Sequence, residues 1–539
     1  MKKNINLIKH FTGMLFMTAI CLSCTDIFDK EPLDKVSDST FWQTEQDAEL
    51  ALTGCYINTG GSWNGEDFWT PRSLVHMDLA AGNGSEKEGM PDHITDGSLI
   101  SSNFVIEYHW KYSFAKIATC NNFLDHINDI QIDEKKRERM KSEVRVLRAY
   151  EYFNLALYFG DVPLVTKIQT LEEANNVVRT AKQDVWNFVE QELVESADIL
   201  PMKVADSEKG HMTAAAALGI LGRLYMAEQK WHEAASAYKR IMDSDKYSID
   251  PRFKELFWEA GEFSPEIVMS SQYVENDYSH ALLQFLVPEA WGGWHQYSPY
   301  NELVKEFECI DGNPIDESPL YDKDNPYENR DPRLDYTVMI NQRTVFKGKT
   351  FISEPNSGSP DVFTKYKWSG YAINKFMDEN FNGNLANYGG DFSLIRYAEV
   401  LLGYLESKLE SGENVTQSLL DETINLVRGR KAVNMPSVTE TNAAKLRTII
   451  RRERRVEFAF EGLRYYDILR WGIAAEELNR QFTGMKLTND PAHYNDYEVD
   501  EEGYLIYQKK EFKKGVNELW PIPLSEIQIN PNLTQNSGY

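Results

Sequence analysis

A mainly α-helical protein, a superhelix of tetratricopeptide-like helix pairs packed against a loop-rich half, is predicted by three features of this sequence. The first is Leu221-Gly222-x-x-Tyr225 followed by Ala234-x-x-x-Tyr238. This reproduces the Leu-Gly, Tyr, Ala and aromatic spacing of a tetratricopeptide repeat, with Leu218 where Trp is usual and Lys246 where Pro is usual. Small residues there let antiparallel helices approach, and the aromatics fill the gap between repeats. The second is a set of helical periodicities on both sides of that unit. The third is the stretch over residues 264–386, rich in Gly, Pro, Asn and aromatics, with only short possible strands such as 337–340.

Taken in order, the chain opens with a processing segment. Lys2, Lys3 and Lys9 precede a short apolar run over residues 11–22, too short to span a bilayer comfortably. Ser23 stands before Cys24 as in a bacterial lipobox, with Cys21 where Leu is usual. Residues 1–23 are therefore predicted to be a lipoprotein signal peptide and Cys24 the acylated first residue, the other reading being a plain secretory signal cut nearby. Residues 24–39 read as a polar tether. Phe41, Ala48, Leu52 and Tyr56 recur at helical spacing. Loops carrying Trp63 and Trp69 follow, punctuated by glycines. Val146, Tyr150, Phe153 and Leu157 place a helix over residues 143–159, stopped by Gly160 with Pro163 beyond. Helix pairs are also predicted around 120–159, across 391–411 and 415–430, and across 443–471. A boundary near residue 260 divides an N-terminal helical region, 40–260, from a C-terminal region, 261–539. The tail over 519–539 carries Pro521, Pro523 and Pro531 and is turn-rich.

Residues 446–471 are the most charged of these pairs. Ile449, Val456 and Phe460 are spaced to share one helix face. Glu453, Glu457 and Glu461 form an i, i+4 row whose like charges repel slightly, so the helix needs partners from elsewhere. Guanidinium forks bind carboxylates and carbonyls well. Gly462 can end the helix, and a second short one folds back over 465–471. The expectation is a buried structural hub built on Arg451, Arg454, Arg455 and Glu457, not a basic nucleic-acid patch.

Bulk charge agrees: 57 basic and 83 acidic side chains leave −26, which argues against nucleic acid and against adhesion to anionic lipid through a basic face. Cys55, Cys120 and Cys309 are widely separated and odd in number, so no disulfide framework or Cys-based zinc site follows. Gly348-Lys349-Thr350 has Arg343 where a Walker loop needs Gly. His232-Glu233 has Ser236 where a zincin needs its second His. Asp322-Lys323-Asp324 has Pro326 and Tyr327 at EF-hand positions that need a ligand and a Gly. No catalytic residue, metal or cofactor is expected.

The run over 451–471, RRERRVEFAFEGLRYYDILRW, resembles the C-terminal signature of the SusD/RagB family of nutrient-binding surface lipoproteins. Residues 309–334 resemble its Asp-Gly-x-Pro and Arg-Asp-Pro-Arg segment, residues 391–406 its following helix, and NLVRGR over 425–430 its Asn-x-x-Arg-x-Arg turn. The tail resembles its Pro-Ile-Pro and Gln-Asn-x-Gly-Tyr ending, and LRAYEYFNLALYFGDVPLV matches in the N-terminal half. Leu405 and Gly429-Arg430-Lys431 depart mildly from the pattern. The resemblance implies the SusD-like fold with four tetratricopeptide-like pairs and a loop-rich face that binds ligand. It also implies a surface position in the outer membrane through a lipid anchor, as a lid over a SusC-like TonB-dependent transporter.

With catalysis set aside, recognition remains. Sugars present apolar C–H faces and many hydroxyls, so flat aromatics with amides and carboxylates bind them. Two predicted loops offer that mixture: Trp63 and Trp69 with Asn64 and Asp67, and Trp291-Gly292-Gly293-Trp294-His295-Gln296-Tyr297, whose glycines leave room for ligand. Trp294 is expected to stack on a pyranose ring, flanked by Trp291 or Tyr297. The leading function is a non-catalytic oligosaccharide-binding lipoprotein. The alternatives are a secreted glycoside hydrolase on a helical scaffold and a repeat protein that only grips a partner.

Overall fold

The computed structural model describes residues 41–57, 67–363, 368–487 and 497–539. The signal segment, Cys24, the tether, Trp63 and Asn64 lie outside the described residues.

Ten helices carry the architecture: α1 (Glu45–Tyr56), α2 (Pro71–Asp78), α3 (Phe104–His126), α4 (Glu134–Phe159), α5 (Lys182–Ile199), α6 (Ala214–Ala227), α7 (Trp231–Met242), α8 (Tyr397–Glu410), α9 (Ala443–Glu457) and α10 (Arg464–Arg470). From α3 to α9 each packs on the next, so two helices from the C-terminal half complete the superhelix begun in the N-terminal half. α4 starts at Glu134, nine residues before its apolar period becomes readable, because its first turns are charged and capped by Asp133. At the repeat unit, Tyr238 of α7 is wedged between two helices. A Cβ on Gly222 of α6 would stand 2.3 Å from its ring and one on Gly403 of α8 2.6 Å. Both neighbours must be glycine for the three helices to close on that aromatic.

The loop-rich half holds only two-stranded antiparallel ladders among the described residues. Tyr297–Pro299 pairs with Gly84–Glu86, and Val338–Met339 with Ala372–Ile373. Two expected helices differ. Residues 391–411 begin as a strand, Phe392–Arg396, paired with Ile267–Ser271, and turn helical only at Tyr397. That strand's partner lies more than a hundred residues upstream, a long-range contact that overrides local periodicity. The helix over 415–430 breaks at Thr423 (φ −129°, ψ −98°) into Gln417–Glu422 and Ile424–Arg428. The break turns Arg428 and Arg430 inward, where both are buried. Among the described residues no helix is long and apolar enough to cross a membrane.

α9 ends at Glu457, so Phe460 is not on its face but in the following turn, at φ +67°. Ile449 is only half-buried, and the inward face carries Leu446, Ile450, Glu453 and Glu457. The acidic row therefore points inside, met by arginines from distant segments. Glu453 accepts from Arg333 and from Arg428 (2.8 Å). Glu457 accepts from Arg333 (3.0 Å), Arg396 (3.0 Å) and Arg430 (2.6 Å). Glu461 accepts from Arg396 (2.7 Å) and Lys375 (2.6 Å). Burial alone would raise the Glu457 carboxyl, but Arg430, Arg396 and Arg333 hold it far below the usual carboxylate range.

The arginines of α9 face other elements. Arg454 forks onto Asp467 of α10 (2.9 and 3.0 Å). Arg455 reaches Asn83 Oδ1 (3.0 Å), the Gly82 carbonyl (3.2 Å) and Glu306 (2.8 Å), joining the two halves of the chain. Arg451 is half-exposed and lies over the Trp471 ring at 4.8 Å. Arg454 and Arg455 are buried and cannot meet a polyanion.

Candidate binding site

The aromatic loop over residues 288–297 is held from behind. Gly292 sits at φ +98° and turns the chain. A Cβ on Gly293 would stand 2.0 Å from the Val287 carbonyl, so this glycine serves a close backbone approach and leaves no room for ligand, contrary to expectation. Asp361 is the anchor, accepting the amides of Glu289 (2.7 Å) and Ala290 (2.9 Å), with His295 Nδ1 2.8 Å away. Burial would raise its carboxyl, yet His295 and those amides keep it below the usual range. The Trp368 indole donates to the His295 carbonyl (2.6 Å) and its ring stacks on the imidazole at 5.1 Å. Lys87 closes the outside of the loop through Glu289 (2.6 Å).

From this brace the three aromatics go three ways. Tyr297 is fully buried, stacked on Phe285 at 6.0 Å with its hydroxyl 3.2 Å from His76. It is core and cannot flank a sugar. Trp291 is half-buried, stacked on Phe346 at 5.5 Å and 17°. Trp294 is 40% exposed and stands edge-on to Phe285 at 5.2 Å. Among the described residues no other tryptophan is as exposed.

The earlier loop offers less. Trp69 is 2% exposed, its indole N–H donating to Glu151 and its face covered by Lys116 at 4.4 Å. It is a core plug, and Asp67 is spent on the amides of Trp69 and Thr70 (2.8 Å each). Burial pushes the Glu151 carboxyl up to about 7, against the opposing pull of Lys116 and the Ser113 hydroxyl. A raised acid contributes stability that is fully present below its ordinary range and is lost as pH rises through 7, here on the order of 3 kcal/mol. The melting temperature is expected to fall between pH 5 and 8. Asp78, whose carboxyl burial also pushes up to about 7, adds to that fall, so Glu151→Gln, which keeps both hydrogen bonds because its amide can donate to Ser113, should lessen the slope; an unchanged slope would place its origin elsewhere.

Trp291 also lines a cavity of about 280 Å³ with Leu283, Phe346, Phe381, Asn382 and Asp378. The hairpin Val345–Phe346/Lys349–Thr350 forms its rim. In the sequence this hairpin shows only as a failed phosphate loop. Its one signal is Phe346 beside Lys347-Gly348, a tight-turn pair. Two larger cavities lie elsewhere. One, about 560 Å³, is walled by Trp110, Phe114 and Ile529. The other, about 480 Å³, surrounds Glu143, which already takes the Tyr56 hydroxyl and His211, each at 2.7 Å. Neither presents a solvent-facing indole.

A family model described as the SusD family matches residues 265–539, and one described as starch-binding associating with outer membrane matches residues 32–226. A crystal structure of a SusD-like carbohydrate binding protein from Bacteroides fragilis is 37% identical, with a TM-score of 0.88 over 92% of this chain and all of that one. Surface glycan-binding protein A from Bacteroides fluxus shares the fold at a TM-score of 0.69 and 21% identity, over 92% of this chain and all of that one. SusD-like protein P2 from Formosa agariphila is 22% identical over 98% of this chain and the whole of the relative.

Proposed function

The chain belongs to the SusD/RagB family, and from that premise we propose that it captures glycan on its loop-rich face and delivers it to a SusC-like TonB-dependent transporter. The observation that carries the binding role is Trp294, an exposed indole on a loop pinned by Asp361 and flanked by the Trp291 cavity. A rigid aromatic platform with Gln284 beside it suits a pyranose ring, because little is lost in ordering it. The Bacteroides fragilis relative's name, as a carbohydrate binding protein, supports the same reading. Outer-membrane association is supported by the description of the model matching residues 32–226. In this proposal Cys24 bears the lipid anchor, the protein is surface-exposed, and it binds without catalysis. The two family matches fall on either side of the proposed boundary near residue 260.

Affinity electrophoresis in gels loaded with single polysaccharides tests this. Retardation by at least one polymer, recovered at its original length, is expected. Shortened chains would make the protein a hydrolase. No retardation by any polymer, neutral or acidic, would remove the glycan reading.

A further inference from the structure

The cavity beside Trp291 is rimmed by two lysines whose charge no described carboxylate balances. Lys347 donates to the Phe381 carbonyl and to Asn382 Oδ1, and Lys349 is exposed; neither forms an ion pair among the described residues. Nearby cations are compensated: Lys254 by Glu379, Lys87 by Glu289, and Arg343 by Asp335 and Glu328.

Their presentation is built. Lys347 and Gly348 lie at φ +48° and +74°, the two central positions of a tight turn joining paired residues Phe346 and Lys349. Such a turn favours Asn-Gly, and a lysine held at positive φ is locally strained. The turn alone would be better served by asparagine in place of the lysine. Among the described residues the one acid lining the cavity is Asp378, which accepts the Tyr388 hydroxyl (3.0 Å) and the Asn380 amide (2.8 Å) and pairs with neither lysine. The flat apolar wall is the stacked pair Trp291 and Phe346, with the Lys347 ammonium 5.6 Å from the Phe346 ring centre. A cavity of about 280 Å³ has room for one sugar ring.

We propose that this cavity is an anion-selective subsite and that the ligand is an acidic glycan, its ring against Trp291 and Phe346 and its carboxylate or sulfate ester on Lys347 and Lys349. The inference rests on the glycan reading above and names its substrate class. Cations without a carboxylate at a low-dielectric wall attract the charged substituent and disfavour ligands that leave them so.

The test uses polygalacturonate, its methyl-esterified form, a sulfated galactan, its desulfated form and a neutral β-glucan, at low and high salt. At least one acidic polymer is expected to bind about tenfold more tightly than its neutralised counterpart, with the advantage lost in high salt. Polygalacturonate and sulfated galactan tell a carboxylate from a sulfate. The double variant Lys347→Asn/Lys349→Gln keeps the turn, should keep the melting temperature, and should bring acidic binding down to the neutral level. Equal or tighter binding of neutral polymers, or a double variant that binds acidic polymer as the parent does, overturns the acidic-glycan inference and leaves glycan binding standing. Binding of none of the five overturns both.

Discussion

Glu457→Ala is expected to cost about 3–5 kcal/mol of folding stability, the range for breaking a buried ion pair by removing one partner. Glu457 is fully buried and accepts from Arg333, Arg396 and Arg430, which arrive from three separate segments. Removing it leaves three guanidiniums facing one another, with Asp331, Glu453, Glu461 and Glu266 as the remaining counter-charges. Urea unfolding monitored by tryptophan fluorescence measures the loss, and if the variant does not accumulate, Glu457→Gln, which keeps the volume and one acceptor, measures the lost charge together with one acceptor replaced by a donor. A loss under about 1 kcal/mol for Glu457→Ala would mean that the network closes without it. The pH sign follows from the depressed carboxyl: its contribution is complete above the ordinary carboxylate range and is lost progressively as pH falls below that range. Acid sensitivity from this network and the opposite trend from Glu151 should leave the chain most stable near pH 5.

Trp294→Ala is expected to lower affinity for the bound glycan about ten- to hundredfold, by analogy with the stacking of a base on an aromatic ring. The melting temperature should stay within a degree or two of the parent. The ring is 40% exposed and stands edge-on to Phe285, so its removal opens no closed cavity. Gel retardation and calorimetry read the affinity, and a thermal melt reads the fold. An early-melting variant would make Trp294 a packing residue, and unchanged retardation would move the platform to Trp291.

How much of this is legible without the structure differs from residue to residue. Trp69 and Trp294 look alike in sequence, each in a loop with polar neighbours. One is sealed by Glu151 and Lys116 from α4 and α3, and the other keeps 40% of its surface exposed on a loop pinned from Asp361. Tyr297, three residues beyond Trp294, is a strand residue whose side faces Phe285 and His76. No local pattern separates these outcomes, since the groups that decide exposure are distant in the chain. The Phe346–Lys349 hairpin is visible only as a motif that does not fit.

The sequence by itself determined the helical architecture, the repeat unit at Tyr238 and the family, because periodicity, glycine placement and signature runs are local properties. It also marked residues 451–471 as needing partners, since three glutamates in a row cannot stabilise their own helix. Only the tertiary structure decided who those partners are: Arg333, Arg396, Arg428, Arg430 and Lys375, not the arginines interleaved on α9. Arg454, three residues before Glu457, is a near neighbour on the helix but forks onto Asp467, which leaves the Glu457 carboxylate to arginines from other segments. A buried carboxylate is neutralised by whatever the fold brings within about 3 Å, and that is set by chain crossings, not by spacing along the chain.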